Sequence, residues 1–144
     1  MARANIKKQK APKAVKAAMS KAVKRALGHY ILVGKKVKDV PLMEWSNWIE
    51  TTKDRFMFST IVGRYRVSTV FLGLDYSFGG RRKVLFETMV FRTAKNATRG
   101  KSVDPYFMRY STYKEAEAGH KAMCEQVARE KGGKIGTKNL YKDL

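Results

Sequence analysis

Hydrophobic positions fall into three regimes along the chain: a helical one, an alternating one and a second helical one. From Lys13 to Leu27 the segment KAVKAAMSKAVKRAL, wound at about 100° per residue, puts Val15, Ala18, Met19, Ala22, Val23, Ala26 and Leu27 on one side and Lys13, Lys21, Lys24 and Arg25 on the other. A helix rich in Ala, Lys and Leu is predicted, stopped by Gly28, with Lys24 and Arg25 in the last turn where the helix dipole favours cations. Its apolar side can dock while its basic side stays free. Residues 1–11 alternate Lys, Ala and Gln and bury too little to offset the entropy of ordering, so they are expected to be mobile in the free protein, with Pro12 marking their end.

The run HYILV, His29 to Val33, predicts a short strand, and the basic turn GKKVKD follows it. Pro41 opens LMEWSNWIE, where Leu42, Trp45 and Ile49 stand at i, i+3 and i+7 with Trp48 beside them. That spacing predicts a short helix with one apolar stripe, and it assigns both Trp to the core. Between Arg55 and Phe91 the period changes to two. FMFSTIV, RYRVSTVFLGL and KVLFETMVF are rich in Val, Phe, Thr and Tyr, are separated by Gly63 and by the FGG turn at Phe78 to Gly80, and predict an antiparallel meander. In the second strand Val67, Thr69 and Phe71 alternate with Arg66, Ser68, Val70 and Leu72, so both faces are apolar near its end, where a helix is expected to cover it.

The loop RTAKNATRGKSVD comes next, and after Pro105 the segment YFMRY predicts a fourth strand. Thr112 to Glu115 read as a capping box, opening a helix that runs to about Lys131 and ends at Gly132 and Gly133. Tyr113, Ala116, His120, Met123 and Val127 mark the side of this helix that packs on the sheet. The expected fold class is therefore α+β: an antiparallel sheet of about four strands packed by a C-terminal helix and a short Trp-containing helix, preceded by a basic N-terminal helical arm. The expected organisation is an arm over residues 1–28, one domain over 29–131, and a weakly ordered tail over 132–144 with Ile135, Leu140 and Tyr141 as anchors.

Composition changes this picture through charge. The chain has 144 residues with 31 Lys and Arg against 12 Asp and Glu, a net +19. Twelve of those cations precede the first acid, Asp39, which leaves 19 basic and 12 acidic residues, or +7, in the remainder. A basic arm is thus joined to a mildly basic body, and the surplus points to a polyanionic partner. At 44% hydrophobic residues the body can build a core. No apolar run nears the roughly 18 residues of a membrane helix. The single cysteine, Cys124, excludes an intramolecular disulfide framework and a Cys-based zinc cluster, and fits a reducing, cytoplasmic setting.

Three other readings of the arm are weaker. Insertion into an anionic membrane surface wants Trp, Phe or several Leu on the apolar side, and these are missing. A mitochondrial targeting segment favours Arg and Ser, whereas this one is Lys-rich. A merely solvated charged face, keeping the protein soluble, is the plainest alternative.

Candidate chemistry is sparse. Asp75 and Glu87 flank the FGG turn and are expected to fall opposite each other, where a carboxylate pair can share proton transfer or hold a metal. A metal-dependent nuclease of the familiar kind wants Lys two residues beyond the second acid, and Met89 stands there. Neutralising Arg64, Arg66, Arg81 or Arg109 is the simpler role. His29 and His120 lack the spacing of a ligand pair, and His120 reads as a hydrogen-bonded core residue. Cys124 has Glu125 beside it, which raises a thiol pKa. Phosphate-loop, dinucleotide and zinc-protease motifs are absent. Neither enzymatic activity nor a cofactor is expected.

The blocks LMEWSNWIETTKDR (42–55), RVSTVFLGLDYSFGG (66–80), LFETMVF (85–91) and RYSTYKEAEAGHKAM (109–123) resemble a family of small uncharacterised proteins encoded in phage and bacterial genomes. The resemblance spans about Tyr30 to Val127 and implies an intracellular, phage-related α+β unit; it implies no activity. Such proteins begin near the HYILV strand and carry small residues and Pro after the FGG turn. Here a basic arm precedes that strand, and Arg81, Arg82 and Lys83 occupy the turn.

The leading expectation is a non-catalytic nucleic-acid-binding protein that contacts DNA or RNA phosphates through Lys7, Lys8, Lys10, Lys13, Lys21, Lys24 and Arg25 of the arm, Lys35 and Lys36, Arg81 to Lys83, and Arg92, Lys95, Arg99 and Lys101. Tyr30, Tyr65, Tyr76 and Tyr106 are the tyrosines available to stack on bases, although each fits sheet core or rim more simply. Two rivals remain: a phage accessory protein that binds and inhibits a nucleic-acid-associated host defence or nuclease complex, and a structural part of a ribonucleoprotein or virion.

Overall fold

The computed structural model describes residues 28–93 and 102–143, so the arm's predicted helix and the cations of 94–101 lie outside the described residues. In chain order come β1 (Tyr30–Val33), β2 (Lys36–Asp39), α1 (Leu42–Thr51), β3 (Phe56–Val62), β4 (Tyr65–Phe71), β5 (Phe86–Arg92), β6 (Ser102–Tyr110) and α2 (Tyr113–Lys131), then a short 3-10 turn, Leu140–Asp143. Strands β3 to β6 form an antiparallel sheet in chain order, and β1 and β2 pair as a separate hairpin. The architecture is α+β, with the four-stranded sheet and the two helices that periodicity predicts.

Helix α2 begins where its capping box requires. The Thr112 hydroxyl accepts the Glu115 backbone N–H at 3.1 Å and donates to the Glu115 carboxylate, and Gly132, at φ +75, ends the helix. Its buried side, Ala116, His120, Met123, Cys124 and Val127, covers one face of the sheet. On that face Val67, Thr69 and Phe71 of β4 and Phe86, Thr88 and Val90 of β5 are each at most 1% exposed. Alternation places them there, since successive strand residues point to opposite sides. Gly119 lets the helix approach closely, because a Cβ there would overlap the Tyr110 ring.

The core has two apolar clusters. One gathers Tyr30, Leu32, Met57, Phe71, Leu85, Phe86 and Ala116, and the other Val62, Val67, Val90, Tyr106, Met123, Cys124 and Val127. Between them runs a polar chain. His120 Nε2 lies 2.8 Å from Thr60 Oγ1 and its Nδ1 2.8 Å from Thr69 Oγ1, which in turn meets Thr88 Oγ1 at 2.6 Å. Both ring nitrogens are satisfied, as a buried imidazole needs.

The structure departs from the sequence-based expectations in five places. GKKVKD is a turn only at Gly34 and Lys35, and Lys36–Asp39 pairs with β1 as β2. Its residues are mostly exposed, so no apolar alternation marks it as a strand. Helix α1 has no fully buried residue: Leu42 is exposed, Trp48 meets Phe71 edge-on at 5.7 Å, and Trp45 leans on His29 at 5.3 Å. Both Trp are half-buried walls rather than interior residues. The chain leaves the sheet after Phe71 and re-enters at Phe86, so Leu72–Leu74 and Lys83–Leu85 belong to a connecting loop. Strand β6 starts at Ser102, ahead of Pro105, so it is longer than YFMRY.

The fifth departure is the tail, which folds back along β3 instead of hanging loosely. Ile135 bridges to Val62, Gly136 donates to the Ile61 carbonyl at 2.7 Å, and the Asn139 amide accepts from Ser59 N–H and donates to the Met57 carbonyl, both at 2.8 Å. The hydroxyls of Tyr141 and Ser68 lie 2.6 Å apart, so Tyr141 reaches the face of the sheet away from α2.

Candidate nucleic-acid interface

Two groups of the expected cations are described, and they stand at opposite ends of α2. At its start, Lys35 from the β1–β2 turn and Lys83 from the β4–β5 loop line one groove with Tyr30, Val37 and Tyr113. Their ammonium groups lie over rings, Lys35 at 5.5 Å from Tyr113 and Lys83 at 4.9 Å from Tyr30, so the aromatic faces hold the charges without neutralising them. Arg82, one residue away, is ion-paired with Glu115 in the first turn of α2. Lys36 and Arg81 are exposed nearby. Arg92 sits at the far end, in a cleft with Arg64, Tyr65, Lys131 and the Gly132–Gly133 exit from α2.

Nineteen helical residues separate those ends, about 28 Å at 1.5 Å per residue. Lys35, Arg82 and Lys83 come together, and Arg92 does not join them. Its neighbours Arg64 and Lys131 were not expected at the interface, and only the antiparallel folding of Gly63 against Gly133 brings them in. Lys7, Lys8, Lys10, Lys13, Lys21, Lys24, Arg25, Lys95, Arg99 and Lys101 lie outside the described residues.

The sheet face opposite α2 is a separate surface, since Arg92 shares the side of Phe86, Thr88 and Val90 while Lys35 and Lys83 lie over Tyr113 and Tyr30. Its register sets Arg66 beside Phe91, Ser68 beside Met89, Met89 beside Phe107, and Glu87 between Val70 and Arg109. The Arg109 guanidinium lies 4.8 Å from the Phe107 ring and 5.2 Å from the Tyr76 ring, with its Nε donating to Glu87 at 3.0 Å. Near the other end the Arg66 guanidinium lies 4.8 Å from Phe91, with its Nη1 donating to the Tyr141 hydroxyl at 3.2 Å. Phe107 is 44% and Tyr76 38% exposed. Of the tyrosines read as possible stacking residues, Tyr76 alone is exposed; Tyr30 and Tyr106 are buried and Tyr65 is half-buried. The sequence signal for this face was the alternation of Arg66 with apolar residues in β4.

Loop geometry carries Tyr76 to its place. Asp75 is buried, and its Oδ1 accepts from Ser77 N–H at 2.8 Å and Val84 N–H at 3.0 Å, clamping both sides of the loop. Beyond it, Phe78 at φ +50 and Gly79 at φ +88 turn the chain, closed by Gly80 N–H on the Ser77 carbonyl at 3.1 Å. Left-handed backbone suits Gly79 but is rare for Phe, and Phe78 is 78% exposed.

The groups weighed for catalysis each have other partners or surroundings. Asp75 serves the loop backbone and Glu87 serves Arg109, so the expected opposition of the two acids is not formed; Glu87 faces Val70. Desolvation lowers His120 to about 4, and burial pushes the Cys124 thiol up to about 11. Tyr106 donates to Glu130 at 2.6 Å, which raises the phenol and lowers the carboxyl. Among the described residues no group of three or more His, Cys, Asp or Glu is placed to hold a metal ion, and no helix is long and apolar enough to cross a membrane.

No family model, no curated protein and no solved structure matches this chain.

Proposed function

We propose that this chain is a non-catalytic nucleic-acid-binding protein of the cytoplasm, related to phage-encoded proteins, that neutralises backbone phosphates through its N-terminal arm and its basic loops. The observation that carries the reading is the charge distribution, +19 overall with twelve cations ahead of the first acid. The body supports it with cations at both ends of α2, Lys35 and Lys83 at one and Arg64, Arg92 and Lys131 at the other. A polyanion lying along the molecule meets positive charge at either end. The depressed imidazole and raised thiol favour a binding role over a chemical one, because neither group is reactive near neutral pH.

The test is the salt dependence of binding to a fluorescein-labelled duplex. Neutralising about eight phosphates makes log K fall with log salt at a slope of about −7, from roughly 0.9 per phosphate. A slope shallower than about −2 overturns the reading.

A further inference from the structure

We propose that the sheet face opposite α2 stacks the bases of single-stranded nucleic acid on Phe91, Phe107 and Tyr76, with Arg66 and Arg109 flanking them. This rests on the nucleic-acid reading and gives it a substrate class.

Four observations carry it. First, the face has aromatic surface in the open: Phe107 and Tyr76 are exposed in the absence of any covering helix, although large aromatics normally contribute most when buried. Second, each end of the face holds a guanidinium against a ring, Arg66 on Phe91 and Arg109 between Phe107 and Tyr76. Glu87 and Tyr141 each take one nitrogen of these side chains, fixing the planes before any ligand arrives. Third, Phe78, in contact with Tyr76 at 6.4 Å between ring centres, presents its ring at a loop tip in left-handed backbone. A large apolar residue in that conformation costs free energy that solvent exposure does not return, and such residues gather at ligand sites. Fourth, Arg66 and Arg109 stand towards opposite ends of the face, so a strand crossing it meets a guanidinium at either side.

Charge decides the occupant. Glu87 pairs with Arg109, while among the described residues Arg66 meets only the Tyr141 and Ser59 hydroxyls as polar partners, so the face carries a net positive charge. A polyanion is complementary. A duplex keeps its bases stacked internally and has no free π-face for these rings, whereas every unpaired base has one.

The full chain should be titrated into 20-residue oligo(U) and oligo(dT), each with one central 2-aminopurine, and into a duplex of the same length carrying the same fluorophore. Single strands should bind at least about tenfold more tightly than the duplex at equal salt, with 2-aminopurine quenched on binding. Phe107→Leu keeps apolar bulk at a half-exposed position and removes the π-face, so it should weaken single-strand binding at least about fivefold, given the usual worth of one base–aromatic stack, and relieve the quench. Its thermal transition should stay where it is; Tyr76→Leu is the second variant if Phe107→Leu shifts it. Equal affinity for single strand and duplex, with neither variant changing either, overturns the stacking face and leaves phosphate binding standing. Absence of binding to all three probes at low salt overturns both. Unchanged binding in variants that lower the melting temperature assigns the face to packing against another part of the protein and overturns the proposal.

Discussion

The two faces of the sheet are written in alternate residues of the same strands, yet they follow different rules. On the side under α2, β4 and β5 contribute Val67, Thr69, Phe71, Phe86, Thr88 and Val90, all nearly inaccessible. Polar atoms there are satisfied, as in the connected chain Thr60 to His120 to Thr69 to Thr88 and in the Tyr106 hydroxyl that donates to Glu130. On the other side Phe91, Met89, Phe107 and Arg109 are left partly or fully in solvent, and arginines lie on the aromatic rings. The lesson is that alternation assigns the faces, Val67 and Phe71 with Thr69 to the covered side and Arg66, Ser68 and Val70 to the other, and that the helix laid over the first makes it the core.

Four substitutions sharpen the contrast. The largest effect is expected from Phe71→Ala, which empties the middle of the first cluster and should cost about 3–5 kcal/mol in urea unfolding, whereas Phe107→Ala on the open side should cost under about 1 kcal/mol. Equal losses at the two positions would erase the distinction between the faces.

A second effect comes from His120, whose folded pKa of about 4 lies below the ordinary 6.5. The unfolded chain therefore takes up the proton first as pH falls. The stability held by the neutral imidazole is full above pH 6.5, drains away between 6.5 and about 4, and is lost below, amounting to about 3 kcal/mol. Urea midpoints measured across that window should fall more steeply for the wild type than for His120→Gln. Parallel curves would show that the imidazole is solvated.

The smallest effect belongs to the open side. Glu87→Gln removes the charge partner of a part-exposed Arg109 and should change stability by less than about 1 kcal/mol, read as a small shift in melting temperature that salt abolishes.

How much of this was legible follows from the range of each interaction. Thr112 and Glu115 stand three residues apart and satisfy each other, so the start of α2 could be read from four letters, and its buried side from the spacing of Ala116, His120, Met123 and Val127. The meander was legible for the same reason, since alternation is local. The hairpin strand Lys36–Asp39 was not, because a mostly exposed two-stranded ribbon is specified by backbone pairing rather than by an apolar pattern. Asp75 reads from the sequence as the neutraliser of a nearby arginine, ahead of a pairing with Glu87, whereas two nearby backbone N–H groups claim it; short acidic side chains in loops are taken by such local bonds. Among the candidate cations, their clustering was legible but not their placement, since the length of α2 separates Lys83 from Arg92. Arg64 and Lys131, some 67 residues apart by subtraction of their numbers, meet only in the fold.

The tail laid along β3 has a consequence for self-association. A sheet normally offers two borders of unpaired backbone, and one is occupied here: Ile135, Gly136 and Asn139 lie along β3, while β6, at the other border, gives up one N–H at Pro105. The tail thus keeps β3 from templating another copy, and cutting the chain ahead of Ile135 would reopen that border to strand exchange.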